Sequence, residues 1–296
     1  MRAYLQLLRL PTVFTAMADI FLGFILTYRG FQPLDKLLGL LGASCGLYLA
    51  GMVFNDVFDR KQDALERPNR PIPSGRVSVM AAVVLGIVLM AGGVASAWTV
   101  NVWSQIIALA LVPAILGYDA VLKRTSLGPL GMGLCRFLNV MLGASNFSWQ
   151  QMGSYWARPQ LVCAIGLGVY IIGVTWFART EAKQSSRAQL IAALVVLDAG
   201  VAVLAGLIGT WLNEGDATTS LLLLALIVGQ LNYRAFSAIR DPSPQRVQPI
   251  IKHMLLSYVM LDASLVFWHT GDGKLAFATA CLVIPAMFLG RFIPMT

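Results

Sequence analysis

Ten apolar stretches, each roughly 17 to 23 residues long, constrain the fold of this chain more than any other feature. A helix of that length crosses the hydrocarbon core of a bilayer. The stretches lie near 10–28, 37–55, 77–98, 102–121, 128–147, 159–178, 189–211, 219–237, 251–270 and 275–293. Charged residues and glycines around Gly271 interrupt the last two, so one of these could be re-entrant or interfacial. The sequence predicts an all-α integral membrane bundle of nine or ten transmembrane helices.

The small share of charged residues excludes a soluble domain. Of the 296 residues, 57% are apolar and 12% are charged, and the mean hydropathy is +0.72. A soluble domain carries about 25% charged residues to cover its surface. We therefore interpret 1–296 as a single membrane-embedded domain. The first apolar stretch is too long for the core of a signal peptide, so we expect it to be retained as the first span.

Basic residues are distributed unevenly between the two sides of the predicted bundle. With the N-terminus in the cytoplasm, 17 of the 22 Lys and Arg residues fall on the cytoplasmic side. Four fall on the other side (Arg29, Lys36, Arg158 and Lys274), and Arg136 lies within a span. This bias sets the orientation of a multi-pass membrane protein. We expect its membrane to be a bacterial inner membrane or an equivalent one. It also explains the net charge of +8 without nucleic acid as a partner, since no basic stripe is interleaved with aromatic residues.

Three aspartates and an asparagine lie where the second predicted span meets the cytoplasm. Asn55, Asp56, Asp59 and Asp63 would share one face of a continuing helix. A helix end that merely becomes polar explains this cluster poorly, because like charges one turn apart are unfavourable by about 0.2–0.5 kcal/mol per pair. Magnesium takes one or two carboxylates and completes its octahedron with waters and substrate phosphates. The cluster therefore indicates a site where Mg²⁺ bridges to a bound diphosphate, with these four side chains as candidate ligands.

A basic loop rich in proline follows the acidic residues. Its Arg67 and Arg70 stand nearest to the aspartates in sequence. A guanidinium group suits bidentate contact with phosphate oxygens, so both arginines are candidate diphosphate ligands. As ordinary cytoplasmic charges they would need no such role, and composition leaves both interpretations open.

These motifs resemble those of the UbiA superfamily of intramembrane prenyltransferases. The first aspartate motif of that family is similar to Asn55-Asp56-x-x-Asp59-x-x-x-Asp63 followed by Arg67-x-Asn69-Arg70-Pro71-x-Pro73-Ser74-Gly75, and a second segment is similar to Tyr118-x-x-x-x-Lys123-Arg124. The resemblance extends over essentially the whole chain. It implies a cytoplasmic cap over a central cavity open to lipid, Mg²⁺ as cofactor, and transfer of a polyprenyl group from an isoprenyl diphosphate to an aromatic or other lipophilic acceptor.

The sequence departs from the family pattern at the second aspartate motif. The corresponding stretch, 175–187, has Glu181 as its only acid, so at most one carboxylate comes from this side. Glu181 would ligate one magnesium ion or pair with a neighbouring basic residue. Arg179 and Lys183 would contact the diphosphate and replace part of the metal's charge.

Charged side chains inside membrane spans are expensive, so their expected roles are functional or specifically paired. Asp119 precedes Lys123 by one helical turn and could simply pair with it. Arg136 and Asn139 share a face, and they would line the substrate cavity or anchor a hydrogen-bond network between helices. Asp19 would contact the acceptor or take part in structural pairing. For two further acids in spans, Asp198 and Asp262, structural pairing is at least as well supported as a functional role.

The patterns together predict a magnesium-assisted membrane prenyltransferase. Its catalytic residues would be Asp56, Asp59, Lys123 and Asp19, with Asp19 or Asp119 taking the proton of the acceptor. The expected substrate-binding residues are Asn55, Arg67, Arg70, Tyr118, Asp119, Lys123, Arg124, Arg136, Asn139, Arg179 and Lys183. The alternative is a non-catalytic membrane binder or transporter that kept the fold after its second metal site decayed. No residue singles out one acceptor, and no obligate protein partner is inferred.

Overall fold

The structure, a computed structural model, describes residues 2–145, 159–210 and 216–292. Every regular element in these ranges is helical, which confirms the predicted all-α class. The helices are α1 (Arg2–Leu8), α2 (Val13–Tyr28), α3 (Leu34–Glu66), α4 (Val79–Trp98), α5 (Val102–Ala120), α6 (Gly128–Gly143), α7 (Pro159–Ala178), α8 (Arg187–Thr210), α9 (Ala217–Arg240), α10 (Pro244–Thr270), α11 (Gly273–Ala280) and α12 (Val283–Leu289). Two short 3₁₀ turns, Leu10–Thr12 and Leu122–Arg124, precede α2 and follow α5.

Eight segments of the described chain are long and apolar enough to cross a bilayer. They are α1 with α2, and helices α3, α4, α5, α7, α8, α9 and α10. The predicted fifth span corresponds to α6, which has 16 residues, and the predicted tenth is divided into α11 and α12. Pro285 lies in the first turn of α12, where its ring disfavours a continuous helix running on from α11. The predicted membrane bundle is confirmed, while Arg158 and the predicted span ends at 147, 211 and 293 lie outside the described residues.

Polar residues define the ends of several helices. The hydroxyl of Ser78 accepts a backbone N–H three residues on and caps α4, and the amide oxygen of Asn101 accepts the N–H of Trp103 and caps α5. Helix α10 ends at Gly271, whose φ of 67° is the left-handed conformation that glycine adopts most easily. These signals separate successive spans with short connections.

Helix α3 is long enough to leave the membrane. Its 33 residues span about 50 Å, whereas the hydrocarbon core of a bilayer is about 30 Å thick. The last turns of α3 therefore carry its polar residues beyond the hydrocarbon. They stay helical through Glu66, so the acidic residues are presented on a regular scaffold.

Helices α2 and α6 approach each other closely through two glycines. A Cβ atom at Gly143 would lie 2.9 Å from the Cα of Ile20, and one at Gly23 would meet the carbonyl oxygen of Val140. Small residues allow such backbone contact between membrane helices. The contact places Asp19, one turn before Gly23, beside the polar residues of α6.

Candidate active site

The acidic residues at the end of α3 lie on one side of the helix. At 3.6 residues per turn, Asn55, Asp56, Asp59 and Asp63 fall within an arc of about 100°. Within that arc Asn55 lies one turn before Asp59, and Asp56 lies two turns before Asp63. Each pair is held by a different basic side chain.

Arg70 joins the first pair of carboxylates. Its Nη1 donates to Oδ2 of Asp63 at 2.7 Å and to Oδ1 of Asp56 at 3.4 Å. Nη2 of Arg9, from the junction of α1 and α2, donates to the same Asp56 oxygen at 2.7 Å. Asp56 and Asp63 are both buried. The loop that follows α3 thus folds back and brings its arginine onto the acids that precede it.

Lys123 joins the second pair. Its Nζ donates to Oδ1 of Asn55 at 2.8 Å and to Oδ2 of Asp59 at 2.7 Å. Arg124 is more exposed and donates to the other oxygen of Asp59 at 3.4 Å. Both basic residues lie in the 3₁₀ turn that follows α5, because α5 ends at Ala120 and the chain changes direction there. The end of α5 and the end of α3 therefore form one polar site.

The donor set suits magnesium that arrives with a diphosphate. The described residues contain no group of three His, Cys, Asp or Glu side chains already arranged around a metal position. Magnesium needs only one or two carboxylates and takes its other ligands from phosphate and water. Asp56, Asp59, Asp63 and Asn55 supply hard oxygen atoms in one arc. The cations that now neutralise them are groups that also bind phosphate oxygens.

The loop after α7 approaches the same end of the bundle. Burial raises the pKa of Glu181, and the charges of Arg67 and Arg9 oppose that rise, so the Glu181 carboxyl lies within electrostatic reach of both arginines. Arg179 and Lys183 are exposed, and within the described part of the chain their side chains make no hydrogen bond or ion pair. The structure brings Glu181 toward the first motif but does not bring Arg179 or Lys183 into contact with it.

An apolar cavity of about 190 Å³ begins at the polar site and runs into the bundle between α3, α5 and α6. Its α3 wall is one face of that helix and is lined by Ser44, Leu47, Tyr48, Gly51, Met52 and Asn55. From Ser44 to Asn55 this wall is about 16 Å long. Arg9, Tyr118 and Asp119 line the cavity near its polar end. Of the polar site, Asn55 and Arg9 form part of the cavity wall, so the cluster of carboxylates and cations adjoins one end of the cavity.

A second polar cluster forms the inner end of the cavity. Arg136 donates to Oδ2 of Asp19 at 3.1 Å and contacts Oγ1 of Thr15, and its guanidinium carbon lies 5.5 Å from the ring centroid of Tyr48. Asn139 donates to the same Asp19 oxygen at 2.7 Å. Arg136 and Asn139 line the cavity and also join α2 to α6, so both of their predicted roles are compatible with the structure. Asp19 is fully buried behind them.

Residues 16–257 match the sequence model of the UbiA prenyltransferase family. The chain belongs to this family. The digeranylgeranylglyceryl phosphate synthase of Sulfurisphaera tokodaii is 33% identical over 153 residues, which make up 50% of this chain and 55% of that protein. The chain spans about half the length of the curated relatives that it matches.

Two solved UbiA homologues share the fold. The apo structure from Aeropyrum pernix K1 has a TM-score of 0.66 at 21% identity and covers 85% of this chain and 97% of that one. The structure from Archaeoglobus fulgidus bound to DMAPP and Mg²⁺ has a TM-score of 0.61 at 17% identity and covers 94% of this chain and 98% of that one. At these identities the likeness concerns the UbiA fold.

The acids inside the spans of this UbiA chain differ in their surroundings. Asp19 is paired with Arg136 and Asn139 and lies outside the cavity wall. This position does not favour contact between Asp19 and an acceptor, which remains a prediction. Asp198 accepts a hydrogen bond from Asn232 at 3.0 Å, as the structural alternative predicts. Among the residues that the structure describes, Asp119 has no hydrogen-bond or ion-pair partner, because Lys123 is bonded to Asn55 and Asp59 instead.

Sequence reasoning missed Arg9 as a site residue. It was explained by topology alone, as one of the basic residues expected on the cytoplasmic side. In the UbiA fold its guanidinium reaches Asp56, 47 residues away in the chain. Its backbone is left-handed, with φ 45° and ψ 47°, a conformation that non-glycine residues keep only where surrounding structure enforces it.

Proposed function

We propose that this protein transfers a polyprenyl group from an isoprenyl diphosphate to a lipophilic acceptor within the membrane. The observation that carries the proposal is the polar site of paired carboxylates and cations, which adjoins an apolar cavity through Asn55 and Arg9. An amphiphilic diphosphate has the same division, with a charged head and a hydrocarbon tail. The A. fulgidus homologue bound to DMAPP and Mg²⁺ supports this assignment.

The head of the donor would lie among the residues at the ends of α3 and α5. Asn55, Asp56, Asp59 and Asp63 would hold Mg²⁺, which when bound neutralises charge that develops on the departing diphosphate. Lys123 and Arg70 would exchange their carboxylate contacts for phosphate oxygens. Because Lys123 and Arg70 are already held in place, they would need little reorganisation as negative charge develops on the departing diphosphate.

Other basic residues would act at the edge of this site. Arg124, Arg67, Arg179 and Lys183 would contribute positive potential around the phosphate group. Glu181 would be the one acidic ligand from the second side. We propose the roles of Arg124, Arg67 and Glu181 from proximity and charge, and those of Arg179 and Lys183 from charge alone. Each role can be tested by substitution.

The tail of the donor would lie in the cavity. Its apolar wall would keep water away from the allylic carbon as the diphosphate leaves. Tyr118 and Tyr48 line this cavity, and the face of an aromatic ring stabilises a nearby cation. The same walls would hold the acceptor against the reacting carbon.

The first acceptor class to test is a glycerophosphate-type lipid. This choice is supported by the digeranylgeranylglyceryl phosphate synthases among the relatives of the chain. We also propose that the site faces the cytoplasm, because 17 of the 22 basic residues lie on that side of the predicted topology. The proposed unit is the single domain 1–296.

The test is a transfer assay on purified protein in nanodiscs. Isoprenyl diphosphates of increasing length are combined with Mg²⁺ and with either glycerophosphate lipids or aromatic acceptors, and diphosphate release and product mass are followed. We expect transfer that requires Mg²⁺ and is lost in Asp59→Asn. Asp241→Asn, an exposed change in a loop, is the matched control and should stay active. Mg²⁺-dependent donor binding without any product would instead favour the non-catalytic binder.

A further inference from the structure

Asp119 is a buried carboxylate that lines the cavity. It is the second-last residue of α5 and is only 3% exposed. It lines the cavity together with Tyr118, between the polar site and the inner cluster around Arg136. Within the described residues its side chain makes no hydrogen bond and no ion pair.

A purely structural role does not explain this carboxylate. Its expected partner Lys123 is engaged by Asn55 and Asp59. A negative charge in the last turn of a helix is disfavoured by the helix dipole and by the carboxylates of Asp59 and Asp56, whereas the charges of Lys123 and Arg9 attract it without forming an ion pair. Buried charges in membrane spans are normally paired or functional.

The other acids in spans differ from Asp119. Asp19 is held by Arg136 and Asn139, and Asp198 is held by Asn232. Asp262 also lacks a hydrogen-bond partner within the described ranges, but it is completely buried and does not line the cavity. Asp119 combines burial, the absence of a partner and direct access to the cavity.

We propose that Asp119 is the general base of the transfer reaction and that it takes the proton of an acceptor hydroxyl group. This inference rests on the proposed function and deepens it, since it assigns both a catalytic residue and the class of the reacting acceptor group. Asp119 precedes the phosphate-binding Lys123 by four residues, on the cavity side of the polar site. A hydroxyl group that attacks the first carbon of the donor would therefore lie against this carboxylate.

The reaction balances without a further reactant. The bond between the first prenyl carbon and the diphosphate oxygen breaks, and its electron pair leaves with the diphosphate. The acceptor oxygen forms the new bond to that carbon, and its proton passes to a carboxylate oxygen of Asp119. The products are a prenyl ether and diphosphate, and Asp119 then returns the proton to water.

Charges on every neighbouring element set the working pH range of this base. Asp56 and Asp59 face it from α3, Arg9 from the junction of α1 and α2, and Lys123 from the turn after α5. The titratable groups Tyr118 and Cys135, and the Arg136 guanidinium on α6, complete its surroundings. The predicted signature is a loss of transfer at low pH that depends on the residue at position 119.

The test compares Asp119→Asn, Asp119→Glu and the wild type in the transfer assay over a range of pH. Removing a general base lowers rates by about 10²–10⁴-fold, so we expect kcat of Asp119→Asn to fall by at least 100-fold. Donor KM should change less than about threefold, and the acid limb of the pH profile should disappear. Asp119→Glu keeps a carboxylate and should retain the acid limb with a smaller loss of rate. Asp198→Asn makes the same change in a span away from the cavity and should behave as the wild type.

The possible outcomes separate the two proposals. Transfer by Asp119→Asn within threefold of the wild type, or with its acid limb intact, overturns the role of Asp119 and leaves the proposed function standing. Parallel loss of donor binding and transfer in well-folded Asp119→Asn also overturns it, since that pattern marks a donor-binding residue. If Asp119→Asn does not fold, Asp119→Glu decides, and loss of its acid limb contradicts the proposal. A wild type that transfers nothing overturns both proposals.

Discussion

Lys123 and Arg124 are neighbours in sequence, yet the structure predicts very different effects of their removal. Nζ of Lys123 lies 2.8 and 2.7 Å from its two oxygen partners, and its side chain is 13% exposed. A hydrogen bond to a charged group contributes about 1.5–3 kcal/mol. If one such bond to the diphosphate is lost in Lys123→Met, kcat should fall by about 10- to 150-fold. The side chain of Arg124 is 56% exposed, and its Nη2 lies 3.4 Å from Oδ1 of Asp59. Exposed ion pairs contribute about 0–1 kcal/mol, so Arg124→Met should lower kcat less than about fivefold.

The assay measures initial rates of diphosphate release with donor and Mg²⁺ at saturating concentrations, on both variants in the same nanodisc preparation. Thermal unfolding of each variant is recorded first, so that loss of rate is separated from loss of fold. Lys123→Arg keeps the charge but changes its geometry, and it should fall between the wild type and Lys123→Met. Equal effects at the two positions, or a larger effect at Arg124, would refute the reasoning from burial and distance.

Three further perturbations test the scaffold and the second side of the site. Gly23→Ala should destabilise the protein by about 1–3 kcal/mol, because the added methyl group meets the backbone of α6, whereas Gly92→Ala has open space and should leave the unfolding temperature unchanged. Asp19→Asn leaves the buried Arg136 without its ionic partner and should destabilise by about 3–5 kcal/mol in a denaturant titration; an unchanged midpoint would show that this pair is not needed. Glu181→Gln should raise the Mg²⁺ concentration needed for half-maximal rate severalfold while leaving the maximal rate nearly constant, and an unchanged Mg²⁺ titration would remove Glu181 from the metal site.

The membrane fold could be predicted from sequence because the bilayer imposes a simple rule on length and composition. A spanning helix must satisfy its own backbone and present apolar side chains over about 30 Å, and both requirements are visible in hydropathy. The arrangement of the acidic residues on α3 could be predicted for a similar reason. Their order is local, so helical periodicity alone places Asn55, Asp56, Asp59 and Asp63 on one face of the helix.

The contacts that complete the site could not be predicted, because they join distant segments. Arg9 reaches Asp56 across 47 residues, and Arg136 reaches Asp19 across 117. The same limit explains the alternative in which Asp119 pairs with Lys123. Helical spacing favours that pair only if α5 continues, but the helix ends at Ala120 and the following turn carries the lysine to α3.

The most direct test of the central claim is the stoichiometry of product and diphosphate in one assay of the wild type and Asp59→Asn. Mass spectrometry quantifies the prenylated acceptor while a coupled assay quantifies diphosphate, with and without Mg²⁺. We expect equal amounts of both products in the wild type, none without Mg²⁺, and a loss of both in folded Asp59→Asn. Transfer that proceeds at the wild-type rate in Asp59→Asn, or no transfer by the wild type with any donor and acceptor, would contradict this claim.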